Sequence, residues 1–421
     1  MFKLHSVRIN GFWQRFNANC DFNPDVNIII GKNGTGKTTF MNILHSILSV
    51  DIDGILNNDF ESIEVVLKDN GKKRTIKAAR KEDQFIPFPM VEYQISTKKY
   101  TLQLVAPEDR RVSPVRRRRS VEEAEEIRIQ LSKLVSLSSL SVYRLRSGED
   151  LEIRDKYGLK LINPVDFRLS QLLHNLALYQ LELSQEAQNI SSDLQKEVLA
   201  SILYSKDDSE STVFGLEFNK EKERTDLTSA YQQLNVLDTN IRRKINFHVD
   251  TIDKAMDEIK NARNDVSSLH GIDFRSIEAF RQTQKIIKLS LKAKQKTVLV
   301  FSPINSFLTM LKEFITDKNF EFLAGELIVK NNFGSISNAN LSSGEKQLLI
   351  LFIETLLQRN QTFIFLTDEP ELSLHIAWQR KIIPAIKSLN PNAQIIAATH
   401  SPEVASKFKG AIYDMEKLVH E

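Results

Sequence analysis

The chain has 421 residues, enough for two or three domains of ~150 residues or for one large domain carrying an insertion. Hydrophobic residues at 41% and charged residues at 26% exclude an intrinsically disordered or collagen-like chain. Fifty-seven Lys and Arg against fifty-four Asp and Glu leave a formal charge of +3, too small to require nucleic acid or an anionic membrane as partner, so DNA binding would have to rest on a local patch.

In chain order, residues 1–20 alternate polar and apolar types and hold Lys3, Arg8 and Arg15, with no apolar run like a signal peptide. Cys20 is the only cysteine, which excludes an intramolecular disulfide and the paired Cys/His spacing of a zinc site and suits a reducing compartment. No stretch approaches the ~18 consecutive apolar residues of a membrane span, so a cytoplasmic protein away from membranes is expected. Residues 2–9 read as a half-buried strand, and the apolar run Val26–Ile30 as a buried parallel one. After a glycine-rich turn, Phe40, Ile43, Leu44, Ile47 and Leu48 recur at helical spacing, giving the order strand, loop, helix.

From about Glu61 to Val105 the pattern changes to hairpins. Ile63, Val65 and Leu67 alternate before Asp69-Asn70-Gly71, a turn signal, with the returning strand at 75–81 and a second pair at 91–96 and 100–105. Arg110, Arg111, Arg116, Arg117, Arg118 and Arg119 follow, then Glu122, Glu123, Glu125 and Glu126. Ser120 with Glu123 reads as a capping box opening a helix, and the arginines as a solvated loop beside it or, alternatively, a phosphate-binding patch. Residues ~168–316 are helical by pattern. Leu169, Leu172, Leu173 and Leu176 share one face, and Ile245, Val249, Ile252, Met256 and Ile259 form a short heptad-like seam that reads as packing. A polar loop is expected at 205–211, and strands return from Phe320 onward.

Four segments carry chemistry. Gly31-Lys32-Asn33-Gly34-Thr35-Gly36-Lys37-Thr38 fits the phosphate-binding loop and sits after a strand and before a helix, where that loop must sit. Glycines let backbone amides surround phosphate oxygens, the helix N-terminus adds positive partial charge, Lys37 reaches the β and γ phosphates, Thr38 offers a hydroxyl to Mg²⁺ and Thr39 a contact to the α phosphate. The apolar strand of residues 362–367 ends in Asp368-Glu369-Pro370, with Asp368 read as the metal carboxylate and Glu369 as the base that activates water. Leu341-Ser342-Ser343-Gly344-Glu345-Lys346-Gln347 opens an apolar helix, whose serines and glycine amide at a helix N-terminus form another anion site. A strand at 394–399 leads into His400-Ser401-Pro402 and sets an imidazole at a strand's carboxyl end, where open α/β sheets bind ligands.

Taken together and in this order, the segments resemble the ATP-binding-cassette superfamily: Walker A at the glycine-rich loop, signature from Leu341, Walker B ending in Asp368 and Glu369, and a switch histidine at His400. The resemblance implies an α/β P-loop NTPase with a mixed sheet, an antiparallel N-terminal subdomain and a helical insertion. It implies Mg-ATP sandwiched in a homodimer, in which Asn33, Gly34, Thr35, Gly36, Lys37, Thr38 and Thr39 of one subunit face Ser342, Ser343 and Gly344 of the other. Glu369 and His400 would be catalytic, Thr38 and Asp368 would hold the metal, and Glu371-Leu372-Ser373-Leu374-His375 would be the subunit-crossing D-loop. A Q-loop glutamine stays unassigned among Gln84, Gln94 and Gln103.

Spacing points to a branch. Lys37 and Ser342 lie 305 positions apart (342 − 37) with a helical stretch between them, which is similar to the SMC, RecF and overcoming-lysogenization-defect group. The expected organisation is an N-terminal ATPase lobe at 1–165, an insertion at 166–316 and a C-terminal lobe at 317–421. The chain stops twenty-one residues past His400, leaving no room for the Toprim nuclease of some members, so any nuclease is expected to be another protein. A helical pair of ~150 residues would reach about 110 Å at most, far short of an SMC arm. The resemblance extends to stand-alone ATPase subunits of anti-phage systems such as PARIS and Septu, and implies a homodimer or higher homo-oligomer serving a separate effector, a nuclease or toxin. A RecF-like DNA-repair ATPase touching DNA through the arginines is the alternative, and an ATP-gated scaffold with little turnover the second.

Overall fold

In a computed structural model of the chain, the described residues are 1–421 without 84–85, 106–111, 140–150, 156–157, 202–217, 235, 263–273 and 373; at 82–83, 86–87, 139, 151–155, 158–162, 259–262 and 274 only the backbone is described. Gln84, Arg110, Arg111, Ser373 and the expected loop at 205–211 therefore lie outside them.

Two kinds of strand follow from two kinds of sequence. The alternating segments give β1 (Lys3–Phe12), β2 (Phe16–Asp21), β4 (Ser62–Asp69), β5 (Lys72–Asp83), β6 (Ile86–Ile95) and β7 (Lys98–Gln103), which with the C-terminal β17 (Val419–His420) form an antiparallel sheet in the order β17-β2-β1-β4-β5-β6-β7. Between β4 and β5, Asn70 at φ 44° and Gly71 at φ 81° are both left-handed, the turn that Asp-Asn-Gly favours. The continuous apolar runs give β3 (Val26–Ile30), β14 (Ile364–Asp368) and β15 (Gln394–Ala398), which with β8 (Leu137–Ser139) and β16 (Ile412–Asp414) make a parallel sheet ordered β16-β3-β15-β14-β8. Two smaller antiparallel sets are β9 (Leu151–Asp155) with β10 (Gly158–Ile162), and β11 (Asn319–Leu323), β12 (Glu326–Asn331) and β13 (Gly334–Ile336).

The longer helices are α1 (Lys37–Ser49), α2 (Ile52–Asn57), α3 (Pro114–Ser132), α4 (Pro164–Ser201), α5 (Lys220–Gln233), α6 (Thr239–Ala262), α7 (Phe274–Phe314), α8 (Ser343–Leu357) and α9 (Ile382–Leu389). One core joins both large sheets through α1: Phe40, Ile43, Leu44 and Ile47 pack with Ile9, Val65 and Tyr93 of the antiparallel sheet and with Ile29, Leu366 and Ile396 of the parallel one. The fold is thus α/β, with an antiparallel subdomain and a parallel sheet in one unit, Met1–Ala177 with Ser306–Glu421, and a second unit, Leu178–Asn305. In the second unit four members of the expected seam pack: Ile245 and Val249 cluster with Leu227 and Ile287, and Ile252 and Met256 with Phe280, while the Ile259 side chain lies outside the described residues. Among the described residues no helix is long and apolar enough to cross a membrane.

One expectation is corrected. The helix expected to open at Ser120 begins at Pro114 and takes in Arg116 to Arg119, which are helical and not loop residues, because proline at the first helical position has no donor to lose and a fixed helical φ. Ser120 lies inside α3, its hydroxyl donating to the Gln103 carbonyl at 2.6 Å, while Glu123 accepts the Gln103 N–H at 3.0 Å, so the two residues tie the end of β7 to α3. Arg118 and Arg119 pair with Glu122 and Glu123 one turn on, at 2.9 and 3.0 Å.

A buried carboxylate braces the first unit. Glu354 on α8, 4% exposed, accepts from Arg168 Nε at 3.0 Å and Nη2 at 2.6 Å, and from Ser138 Oγ at 2.9 Å. Burial raises the Glu354 pKa, and Arg168 opposes that rise. Arg168→Ala should cost about 3 kcal/mol of stability, since it strands a buried charge. With the arginine gone the folded pKa rises further above the unfolded one, so the folded state holds the extra proton and stability falls as pH climbs out of the carboxylate range. Thermal melts should show a larger deficit at pH 8 than at pH 5; an equal deficit at both would mean that the unpaired charge is not the cause.

Candidate functional site

The glycine-rich loop joins β3 to α1, and its conformation is one that only such a sequence takes easily. Gly34 at φ 82° and Gly36 at φ 94° are left-handed, and a Cβ on Gly36 would stand 2.8 Å from the Phe12 ring. Gly36 precedes α1 and has no side chain with which to cap the first amides of the helix. Lys37, only 5% exposed, donates its ammonium to the carbonyls of Gly31 at 2.8 Å and Lys32 at 2.9 Å, and Thr35 Oγ1 also donates to Lys32 O at 2.9 Å. Burial pushes the Lys37 pKa down, while the nearby Asp368 and Glu369 carboxylates pull it back up. Asn33, Gly34 and Thr38 are exposed, and Thr35 and Thr39 are half-buried.

The parallel register brings the other two segments to the same edge. Asp368 is the partner of Ala398 across β14 and β15, and Ala398 is the partner of Ile29 across β15 and β3, so the chain leaves all three strands on one side. Asp368 is buried at the last position of β14. Glu369 follows at φ 48°, a left-handed conformation costly for a glutamate, with its N–H donating to Ala398 O at 2.7 Å. Its carboxylate lies 3.8 Å from His400 Nε2. Lys37, Asp368, Glu369 and His400 therefore form one group, although 363 positions (400 − 37) separate its ends.

Glu371 supports that group. Its Oε1 accepts from the Thr399 hydroxyl and from the backbone N–H of His400 and Ser401, both at 3.2 Å. One carboxylate two residues past Glu369 thus holds the turn that presents His400. In the sequence Glu371 reads only as part of the subunit-crossing segment; an acid placed directly after Asp-Glu-Pro is the available signal.

Ser342, Ser343 and Gly344 are held separately, at the start of α8. Ser342 caps the helix in a reciprocal box, accepting from Glu345 N at 3.3 Å while Glu345 Oε2 accepts from Ser342 N at 2.9 Å. Lys318, 2.6 Å from Glu345 and 2.7 Å from Asp317, fixes the box from outside. Ser342 and Ser343 remain exposed and Gly344 is buried. Of the candidate glutamines, Gln94 donates to Ser96 O at 3.0 Å in the turn between β6 and β7, and Gln103 ends β7.

A second residue escaped the sequence reading. Trp13, in the turn between β1 and β2 at φ 52°, is 37% exposed and would be 3.1 Å from a Cβ on Gly36. A partly exposed indole thus stands beside the phosphate-type loop, and nothing in the periodicity of β1 marks it.

A model of the AAA ATPase domain, AAA_15, matches residues 2–405. Curated relatives include the retron Ec83 probable ATPase of Escherichia coli, 34% identical over 137 residues, 27% of this chain and 25% of that protein. Others are the retron Vc95 probable ATPase of Vibrio cholerae, 36% identical over 91 residues and 18% of its length, and the Septu protein PtuA of Bacillus thuringiensis, 34% identical over 92 residues, 19% of this chain and 23% of that protein. The chain thus matches about a quarter or less of the length of these relatives. Among solved structures, the Smc head domain of Pyrococcus furiosus bound to the C-terminal domain of ScpA aligns over 96% of this chain and 92% of its own, at 11% identity and a TM-score of 0.43. The SMC head domain of Thermotoga maritima aligns over 96% and 91%, at 13% identity and a TM-score of 0.38.

Proposed function

The chain belongs to the AAA_15 family of AAA ATPase domains, and from that membership we propose that it binds Mg-ATP on the loop before α1 and hydrolyses it within a dimer. The observation that carries this reading is the shared edge of β3, β15 and β14, which sets Lys37, Asp368, Glu369 and His400 beside one another. Left-handed glycines and an uncapped helix N-terminus are the cradle a polyphosphate fits. Lys37 supplies fixed positive charge to the β and γ phosphates. Thr38 and Asp368 offer the hard oxygen donors that suit Mg²⁺, which when bound neutralises phosphate charge. Glu369 accepts the proton of the attacking water, and His400 turns towards the γ phosphate that Glu369 faces. Trp13 lends its indole face to the purine. The exposed Ser342 and Ser343 with the Gly344 amide close the γ phosphate of a second copy, so each dimer holds two nucleotides. Turnover of ATP by the purified chain in Mg²⁺, lost in EDTA, tests the reading; phosphate release at the buffer rate in both would sink it.

Glu371 acts here as a positioning residue. Glu371→Ala should lower kcat roughly 10- to 100-fold, the equivalent of the 1.5–3 kcal/mol that hydrogen bonds to a charge supply, with KM for ATP within about threefold. A lower Tm with unchanged kcat would leave Glu371 a purely structural role.

The biological setting comes from the relatives. Curated proteins this chain is similar to include two retron probable ATPases and the Septu protein PtuA, and they support a role in anti-phage defence in which this chain holds or reports to a separate nuclease or toxin. Tagged Glu369→Gln protein, purified with ATP and Mg²⁺ from cells carrying the native gene neighbourhood, should bring down that effector in stoichiometric amount; recovery of DNA with no such protein would favour a repair role instead.

A further inference from the structure

The chain as a whole is close to neutral, yet the unit Leu178–Asn305 concentrates positive charge along one helix. Within α7, Arg281, Lys285, Lys288, Lys292, Lys294 and Lys296 follow one another with no Asp or Glu from 279 to 312. At 3.6 residues per turn, all of these but Lys294 fall within an arc of about 80°, a single stripe along the helix. Lys288, Lys292 and Lys296 are exposed, whereas Arg281 and Lys285 are half-buried.

The neighbouring helix adds cations at the same level. α6 runs antiparallel to α7, since Ile252 and Met256 pack with Phe280 while Ile245 and Val249 pack with Ile287. Arg242, Arg243 and Lys244, all exposed, consequently lie towards the Lys288 end of the stripe. Among the described residues, none of these three, nor Lys288, Lys292, Lys294 or Lys296, makes an ion pair. The contrast with other cations is direct: Arg118 and Arg119 are matched by glutamates on their own helix, and Lys220 by Asp250 and Asp253. Two of the α3 arginines, Arg118 and Arg119, thus carry their own counter-charge, whereas the exposed lysines of α7 have no ion-pair partner among the described residues.

We propose that this face of α7 binds the phosphate backbone of duplex nucleic acid. Like charges one turn apart repel one another, so a stripe of this kind stores a cost that a polyanion removes. Lys288, Lys292 and Lys296 are about 6 Å apart along a rigid helix and span about 12 Å, a length over which a duplex presents on the order of seven phosphates at one charge per ~1.7 Å. Each lysine meets a phosphate whatever the sequence, so recognition is of backbone and not of bases. This surface lies outside the nucleotide site, and binding is independent of the ATPase reading.

The test uses the full chain without nucleotide and a fluorescent 30-base-pair duplex of mixed sequence, followed by anisotropy between 50 and 200 mM NaCl. Affinity should fall with salt, with a log–log slope of about −3 or steeper at ~0.9 per phosphate contact. The triple variant Lys288→Gln, Lys292→Gln, Lys296→Gln should flatten that slope by about 2.7 and weaken binding at least tenfold at 100 mM NaCl. Arg118→Gln with Arg119→Gln should leave both unchanged. Because all three lysines are exposed, the variant should keep wild-type helicity by circular dichroism. No binding at 50 mM NaCl, wild-type binding by the triple variant, or capture of a polyglutamate probe in preference to the duplex would overturn the proposal, the last by pointing to an acidic protein.

Discussion

Lys37→Ala is expected to abolish useful ATP binding and to lower turnover by on the order of 10³-fold, as loss of a preorganised charge of ~3–4 kcal/mol in a partly desolvated site does. The ammonium is held on the carbonyls of Gly31 and Lys32, so its position is set before any ligand arrives. Burial disfavours its charge and Asp368 and Glu369 offset that only in part, so an incoming polyphosphate would add to the stabilisation of the ammonium. Truncation removes the charge and also leaves those two carboxylates facing the phosphates without a cation between them, which is why the effect should exceed that of a lost hydrogen bond. Quenching of Trp13, one of only two tryptophans in the chain, provides a direct binding signal, and the Trp13→Phe background reads the contribution of the second, Trp378, alone. ATP-dependent quenching and phosphate release that match wild type in Lys37→Ala would remove the loop before α1 from the mechanism.

How much of this site was legible beforehand differed by residue, for physical reasons. Gly31, Gly34, Gly36, Lys37 and Thr38 fall within eight consecutive residues, and the left-handed backbone at Gly34 and Gly36 restricts what can stand there, so the loop announces itself. Asp368 and His400 were also readable, because a buried parallel strand is a continuous apolar run and its end is where the run stops. Their convergence rests on the register of β3, β15 and β14, which no local pattern encodes. Glu371 was placed in a crossing segment because its partners, Thr399, His400 and Ser401, are 28 to 30 positions away. The left-handed backbone of Glu369 is invisible for the opposite reason: glutamate ordinarily avoids that conformation, and the surrounding contacts impose it. The start of α3 was misjudged because Ser120 and Glu123 do have capping-box spacing, but Pro114 starts the helix earlier and tertiary contact with Gln103 uses both side chains instead.

Glu369→Gln should separate binding from chemistry. The amide keeps the size and most of the hydrogen bonding of the carboxylate but cannot take the proton of an attacking water, and general-base catalysis contributes roughly 10²–10⁴-fold. Turnover should therefore fall by about 10³-fold while Trp13 quenching by ATP stays within a few-fold of wild type. The backbone at Glu369 is held by Ala398 and bears the strain whatever the side chain, so Tm should change little. If Ser342, Ser343 and Gly344 complete the nucleotide site of a second copy, the variant should also accumulate as an ATP-dependent dimer, because closure is no longer followed by hydrolysis. Size-exclusion chromatography with and without ATP and Mg²⁺ reads this, and Ser343→Arg in the same background should return it to monomer by placing a bulky side chain where the two copies meet. Loss of both binding and turnover in Glu369→Gln would assign Glu369 to ligand binding, and undiminished turnover would leave the chain without its base, the result expected of an ATP-gated scaffold.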